Sequence, residues 1–115
     1  MEFKRKIVVY ENHFWDFYNK QPKKVQDKID YGIDLVKTLE HVPKKYFDRM
    51  KGTDGLWEIR VKQGSNIYRI FCFFDKGQLV ILLNSFQKKT QKTPKNEIKK
   101  AEKLKKEYHE RKLGK

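Results

Sequence analysis

The sequence predicts an α+β domain: an N-terminal strand, two helices, a three-stranded antiparallel meander that completes a four-stranded sheet, and a basic C-terminal helix. Three observations predict it. Val25, Ile29, Gly32, Ile33, Val36 and Leu39 recur at helical spacing. Two apolar runs, 67–74 and 79–86, have the length of strands and are separated by the turn-forming pair Lys76-Gly77. A β-branched and aromatic run, Ile7-Val8-Val9-Tyr10, stands ahead of the helical region.

Residues 3–10 are expected to form the first strand, because branching at Cβ suits extended backbone. Asn12 is placed to cap a short helix whose apolar side carries Phe14, Trp15, Phe17 and Tyr18. Pro22 suits the first turn of the next helix, where its missing N–H costs nothing. That helix keeps Lys23, Lys24, Lys28 and Lys37 off its apolar stripe, which is expected to cover a sheet. Gly32 lies within the stripe and costs about 1 kcal/mol of helix propensity relative to Ala, a cost that points to close backbone approach. Pro43 marks the end of the helical region.

Residues 43–55 are expected to be an irregular, basic connection anchored by Tyr46, Phe47 and Met50. Residues 56–62 then alternate, with Trp57, Ile59 and Val61 on one side and Glu58, Arg60 and Lys62 on the other. Gln63-Gly64-Ser65-Asn66 supplies a turn, residues 67–75 return, and residues 78–86 follow as the third strand of the meander. Beyond a polar hinge, Thr93 is expected as N-cap, Pro94 as the first helical residue, and Glu97 in the first turn, where its charge favours the helix dipole. Ile98, Ala101, Leu104 and Tyr108 give this helix one narrow apolar stripe, which either packs weakly on its own domain or is covered by a partner. The whole of 1–115 reads as a single domain, with a core over 1–87 and the basic helix over 93–112.

Lys and Arg number 28 against 15 Asp and Glu, a formal charge of +13 that attracts phosphate polyanions and acidic proteins. The charge is concentrated: residues 88–115 hold 12 basic and 4 acidic side chains. Cys72 is the single cysteine, so an internal disulfide and a cysteine-built zinc site are both excluded, and its place in Phe71-Cys72-Phe73 implies a buried thiol. No run approaches a membrane span and no signal peptide is recognisable, so a cytoplasmic protein is expected. The sequence has no P-loop, no dinucleotide fingerprint and no His/Cys metal spacing.

The order strand, two helices, meander resembles the RelE/ParE toxin superfamily. Met50-Lys51-Gly52, Gly55-Leu56-Trp57-Glu58-Ile59-Arg60-Val61, Tyr68-Arg69-Ile70-Phe71 and Phe86-Gln87-Lys88-Lys89-Thr90 are similar to its HigB, or phage-derived host-inhibition, branch. The resemblance covers nearly the whole chain and implies a toxin of a toxin–antitoxin pair that cuts mRNA on the ribosome with no metal or organic cofactor. It implies that Arg69 contacts the scissile phosphate and that Lys51 matches an active-site lysine of some members. It also implies a basic role for Arg60 and for Lys88 and Lys89 just after the last strand.

Metal-free RNA cleavage uses the neighbouring 2′-hydroxyl as nucleophile, so the protein must orient one phosphate, move protons and offset developing negative charge. Arg60 and Lys62 share a strand face, and Arg69 on the adjoining strand reaches the same surface if the register permits. Arg suits the task because its planar fork grips two phosphate oxygens and stays charged. Lys62, Lys88, Lys89 and Lys92 are the expected RNA-binding cations. Relatives that use a histidine or tyrosine near the end of the last strand differ from this chain, which has Asn84, Ser85, Phe86 and Gln87 there. The proton-transfer role is open between Glu58, whose simpler reading is a salt bridge, and a lysine whose pKa is lowered by cationic neighbours. His13, His41 and His109 read as solvated or packing residues, and Trp57, Phe71, Phe73 and Phe74 as core.

The expected function is therefore that of a ribosome-associated endoribonuclease toxin. The alternatives are a gyrase-poisoning ParE-like inhibitor and a noncatalytic RNA-binding module. A neutralising antitoxin, of helix-turn-helix type, is the implied protein partner, with an acidic or amphipathic segment laid over the basic cleft.

Overall fold

Residues 3–89 and 92–114 are described by a computed structural model. In chain order they form β1 (Lys6–Val9), α1 (His13–Asn19), α2 (Lys23–Thr38), β2 (Phe47–Arg49), β3 (Leu56–Gln63), β4 (Asn66–Phe74), β5 (Leu79–Lys88) and α3 (Lys95–Leu113). The sheet runs β1-β5-β4-β3-β2, with β1 parallel to β5 and the remaining pairs antiparallel.

That is one strand more than expected. β2 lies inside the segment read as irregular, and three residues are too few to show an alternation. Tertiary pairing makes the strand: Phe47 stands opposite Ile59, and its ring stacks on Trp57 at 4.7 Å. The expected meander is present as β3, β4 and β5, and the turn between β3 and β4 is the two-residue Gly64-Ser65.

Helices α1 and α2 cover one face of the sheet, over Ile59, Val61, Ile70, Cys72, Val80 and Leu82. Gly32 works as the sequence implies, since a Cβ built on it would lie 3.1 Å from Val61 Cγ2. Burial pushes the Cys72 thiol well above its ordinary pKa. Arg5 closes the far end of α2, donating from Nη1 to the carbonyls of Val36 (2.9 Å) and Leu39 (2.7 Å) and from Nη2 to that of Glu40 (3.0 Å). Val36 belongs to the last turn of α2, whose carbonyls a helix end otherwise leaves unpaired, and Leu39 is its C-cap.

The opposite face carries Leu56, Phe71, Phe73, Ile81 and Leu83, and α3 lies across it with Ala101 and Leu104 buried. So the narrow stripe of α3 is used within the domain. Polar ties hold both ends: Asn84 Nδ2 donates to the Glu97 carbonyl (3.1 Å) and Oε1 (2.9 Å), while Tyr108 and Lys112 both donate to Asp75 Oδ2.

The helix starts differ from expectation in detail. Asn12 and Pro94 occupy N-cap positions, but the Asn12 side chain makes no capping bond. Pro94 is extended (ψ 129°), so α3 begins one residue later than expected, and Thr93 precedes the cap. The Pro94 carbonyl, rather than a threonine hydroxyl, receives the N–H groups of Glu97 and Ile98.

Candidate functional site

The β3–β4 hairpin decides where the cations meet. A two-residue turn between Gln63 and Asn66 fixes the register, and that register sets Arg60 directly opposite Arg69. Directly opposed residues share a face, so both guanidinium groups project from the α3 side of the sheet, near the hairpin end. Glu58, two residues before Arg60 on the same face, lies between them. Its Oε1 accepts from Arg69 Nη1 at 3.1 Å, and its Oε2 accepts from Arg60 Nη2 at 2.9 Å and Nε at 3.2 Å. Arg60 is tied further to Asp48 Oδ2 (3.4 Å) and to the Lys44 carbonyl (3.3 Å).

Exposure differs sharply within this group. Arg69 and Glu58 are buried, at 8% and 6%, whereas the Arg60 side chain is one-third exposed. Desolvation lowers the Arg69 pKa, the Glu58 charge partly offsets this, and Arg60 adds to the lowering. Arginine still remains protonated, so the consequence is a guanidinium held in a poorly solvated place with its Nε making no hydrogen bond. Both Glu58 oxygens are occupied by guanidinium donors, the geometry of a counter-ion.

Lys88 reaches this face by an irregularity in β5. Ile70 pairs with Ser85 and Cys72 with Leu82, so one intervening residue of β4 opposes two of β5. This bulge reverses the alternation: Ile81 and Leu83 face α3 before it, and Phe86 and Lys88 face the same way after it. Phe86 then stands opposite Arg69, and Lys88 opposite Ile67, diagonal to Arg69. Desolvation lowers the Lys88 pKa, and the nearby Arg69 charge lowers it further.

The other sequence-predicted residues divide. Lys62 is exposed on the same face as Arg60. Lys88 is the last residue of β5 rather than a loop residue, and Lys89 follows it, exposed. Lys92 is exposed in the segment between β5 and α3. Lys51 stands in the turn between β2 and β3, beyond the opposite end of β3, and the fold does not bring it to the Arg60–Arg69 group. Gly55 precedes β3, and the five residues from there to Arg60 span about 16 Å of extended chain.

Asp48, Tyr31 and the bulge have no counterpart in the sequence reading, and Tyr46, read there only as an anchor of the 43–55 connection, lies beside the cations. A groove of about 280 Å³ is lined by Lys45, Tyr46, Lys62 and both arginines. A smaller one, about 120 Å³, shares Tyr46, Arg60 and Lys62 with it and continues to Tyr31 and Lys28 on α2. Another groove, about 480 Å³, lies by Lys4, Lys37 and Gln78, at the other end of β5 from Lys88.

Comparison with known proteins places this chain in a family. Residues 16–106 match the family described as "Phage derived protein Gp49-like (DUF891)". No curated protein matches the chain significantly. Among solved structures, the crystal structure of the archaeal RelE–RelB complex from Pyrococcus horikoshii OT3 contains a similar chain. That likeness has a TM-score of 0.52 at 19% identity and covers 74% of this chain and 93% of that one. Among the described residues no helix is long and apolar enough to cross a membrane. With the family match spanning most of its length, the chain belongs to the phage-derived Gp49-like family, and its fold is similar to that of a chain in the RelE–RelB complex.

Proposed function

We propose that this chain is the toxin of a toxin–antitoxin pair and acts as a metal-independent, ribosome-dependent endoribonuclease that cleaves mRNA and so stops translation. The observation that carries the reading is the pairing of Arg60 with Arg69 across one register position, bridged by Glu58. Two guanidinium groups with a carboxylate between them form a seat for an anion. A scissile phosphate entering it takes guanidinium donors that Glu58 now holds.

In the proposed step the 2′-oxygen attacks the adjacent phosphorus, the bond from phosphorus to the 5′-oxygen breaks, and a 2′,3′-cyclic phosphate and a 5′-hydroxyl result. One proton leaves the 2′-hydroxyl and one reaches the departing 5′-oxygen. Arg69 and Arg60 offset the charge that grows on the nonbridging oxygens. Lys88 is the residue proposed for proton transfer, because its pKa is lowered and it faces the same spot, whereas both oxygens of Glu58 are engaged. Glu58 is the counter-ion that holds the arginines apart and aligned. Lys62, Lys89 and Lys92 hold flanking phosphates. Lys51, in the turn between β2 and β3, is proposed to contact RNA or ribosome away from that phosphate.

The protein partner proposed is a cognate antitoxin, supported by the likeness to a chain crystallised in a RelE–RelB complex. An acidic segment over the Arg60–Arg69 face would cover the site and neutralise its charge.

The test is tightly controlled expression with transcript mapping. Growth arrest with cuts inside translated coding regions is expected, and Arg69→Ala is expected to lower the cleavage rate about 10²–10³-fold. Arrest with intact transcripts, or cleavage untouched by Arg69→Ala, would reject the reading.

A further inference from the structure

Tyr46 and Tyr31 are two rings that the proposed chemistry does not use. Tyr46 precedes β2, and its carbonyl accepts the Arg60 backbone N–H at 2.7 Å, so the ring is attached to the backbone of a site residue. The Arg60 guanidinium also holds the Lys44 carbonyl, which pins the same segment from its other side. Tyr31 projects from α2, is 53% exposed, and meets Tyr46 edge-on with ring centres 6.2 Å apart and planes at 80°. Two rings at that angle make an open corner.

The walls around the corner are cationic. Lys45 has its ammonium 5.1 Å from the Tyr46 ring centre, Lys28 lines the Tyr31 side, and Lys62 lines both grooves. No carboxylate is among the described residues lining either groove. An aromatic surface ringed by cations and continuous with a phosphate seat matches single-stranded nucleic acid with an unstacked base. A double helix offers no free base face, and an acidic peptide has no need of the rings.

Resting on the nuclease reading, we propose that Tyr46 and Tyr31 form a base-binding subsite that seats a nucleotide flanking the scissile phosphate of single-stranded RNA. The strand passes from the Arg60–Arg69 seat around the β2 edge of the sheet toward α2. On binding, the base takes the ring face that the Lys45 ammonium now occupies, and that ammonium moves to the neighbouring phosphate. Stacking is tolerant of sequence, so the subsite contributes affinity and registers the strand without selecting one base.

The experiment measures fluorescence anisotropy of the full chain with a labelled, 2′-O-methylated oligonucleotide about eight nucleotides long, which binds but cannot be cut because its nucleophile is blocked. Tyr46→Ala and Tyr31→Ala are each expected to weaken binding about five- to a hundredfold with the salt dependence unchanged, since no phosphate contact is lost. Tyr46→Phe keeps the ring and is expected to bind within twofold of the native chain. Lys62→Ala is expected to flatten the logarithmic salt slope by about 0.7, the signature of one lost phosphate contact on a single strand. Circular dichroism checks each fold, and exposed Tyr31 supplies a decisive variant if Tyr46→Ala unfolds. Binding within twofold of native in the Ala variants, or no binding by the native chain at low salt, overturns the subsite. The nuclease reading falls by a different result, intact transcripts during arrest, whichever way the rings behave.

Discussion

Replacing Glu58 by Gln keeps the shape of the bridge and removes its charge. In the native chain Oε1 and Oε2 each accept from a different guanidinium, and Arg69 is buried with no other carboxylate partner among its described contacts. The glutamine can still accept from one arginine, but its amide then presents a donor to the other. Breaking a buried pair costs about 3–5 kcal/mol. The lower end applies here, because Arg60 is one-third exposed and keeps Asp48 at 3.4 Å. A loss of about 3 kcal/mol lowers the midpoint of thermal unfolding by about 12 °C in a domain of this size, at roughly 4 °C per kcal/mol. The same substitution removes the competitor for the phosphate, so the uncleavable oligonucleotide is expected to bind more tightly. At a hundredfold excess over its Kd the ligand returns about 2.7 kcal/mol, nearly cancelling the loss. Differential scanning calorimetry with and without oligonucleotide reads both effects. An unchanged midpoint together with unchanged affinity would refute the counter-ion role, and a large rate loss at native stability would mark Glu58 as a proton-transfer group instead.

Lys88 has a folded pKa lowered from its ordinary value, first by desolvation and then by Arg69, so between the two values the unfolded chain binds more protons and stability rises with pH. Cleavage that uses its neutral amine is expected to rise through that lowered pKa, and Lys88→Arg to abolish the rise; a pH–rate profile identical in both proteins removes Lys88 from the step. Gly32→Ala gains about 1 kcal/mol of helix propensity but forces a methyl against Val61 Cγ2, a stiff buried side chain, at a cost of about 1–3 kcal/mol. Denaturant melts are expected to show net destabilisation that shrinks when Val61→Ala is added, and purely additive effects would deny the contact. Arg5→Ala uncaps α2 and is expected to cost about 2 kcal/mol, with faster amide exchange confined to its last turn.

Much of the fold is written in local patterns. The α2 stripe, the two apolar runs and the turns after Gln63 and Phe74 each depend on residues close together in the chain, and each appears in the structure. The pairing of Arg60 with Arg69 belongs here too, because a short turn carries its register directly up the two strands it joins. Strand β2 was not legible, since only the partnership with β3 makes three residues extended. The bulge in β5 was equally hidden: Asn84 and Ser85 look like ordinary strand residues until β4 is laid beside them. That one extra residue turns Lys88 toward the arginines, and the span of β3 keeps Lys51 away, although the two lysines looked alike as candidates. Tyr31 joins Tyr46 only because α2 packs on β3 through the bare surface of Gly32. The sequence by itself determined the elements other than β2 and which side chains oppose across the β3–β4 hairpin, because those follow from spacing along the chain. The tertiary structure alone decided which distant cations and rings share one surface, because that depends on packing and strand register between segments that spacing cannot relate.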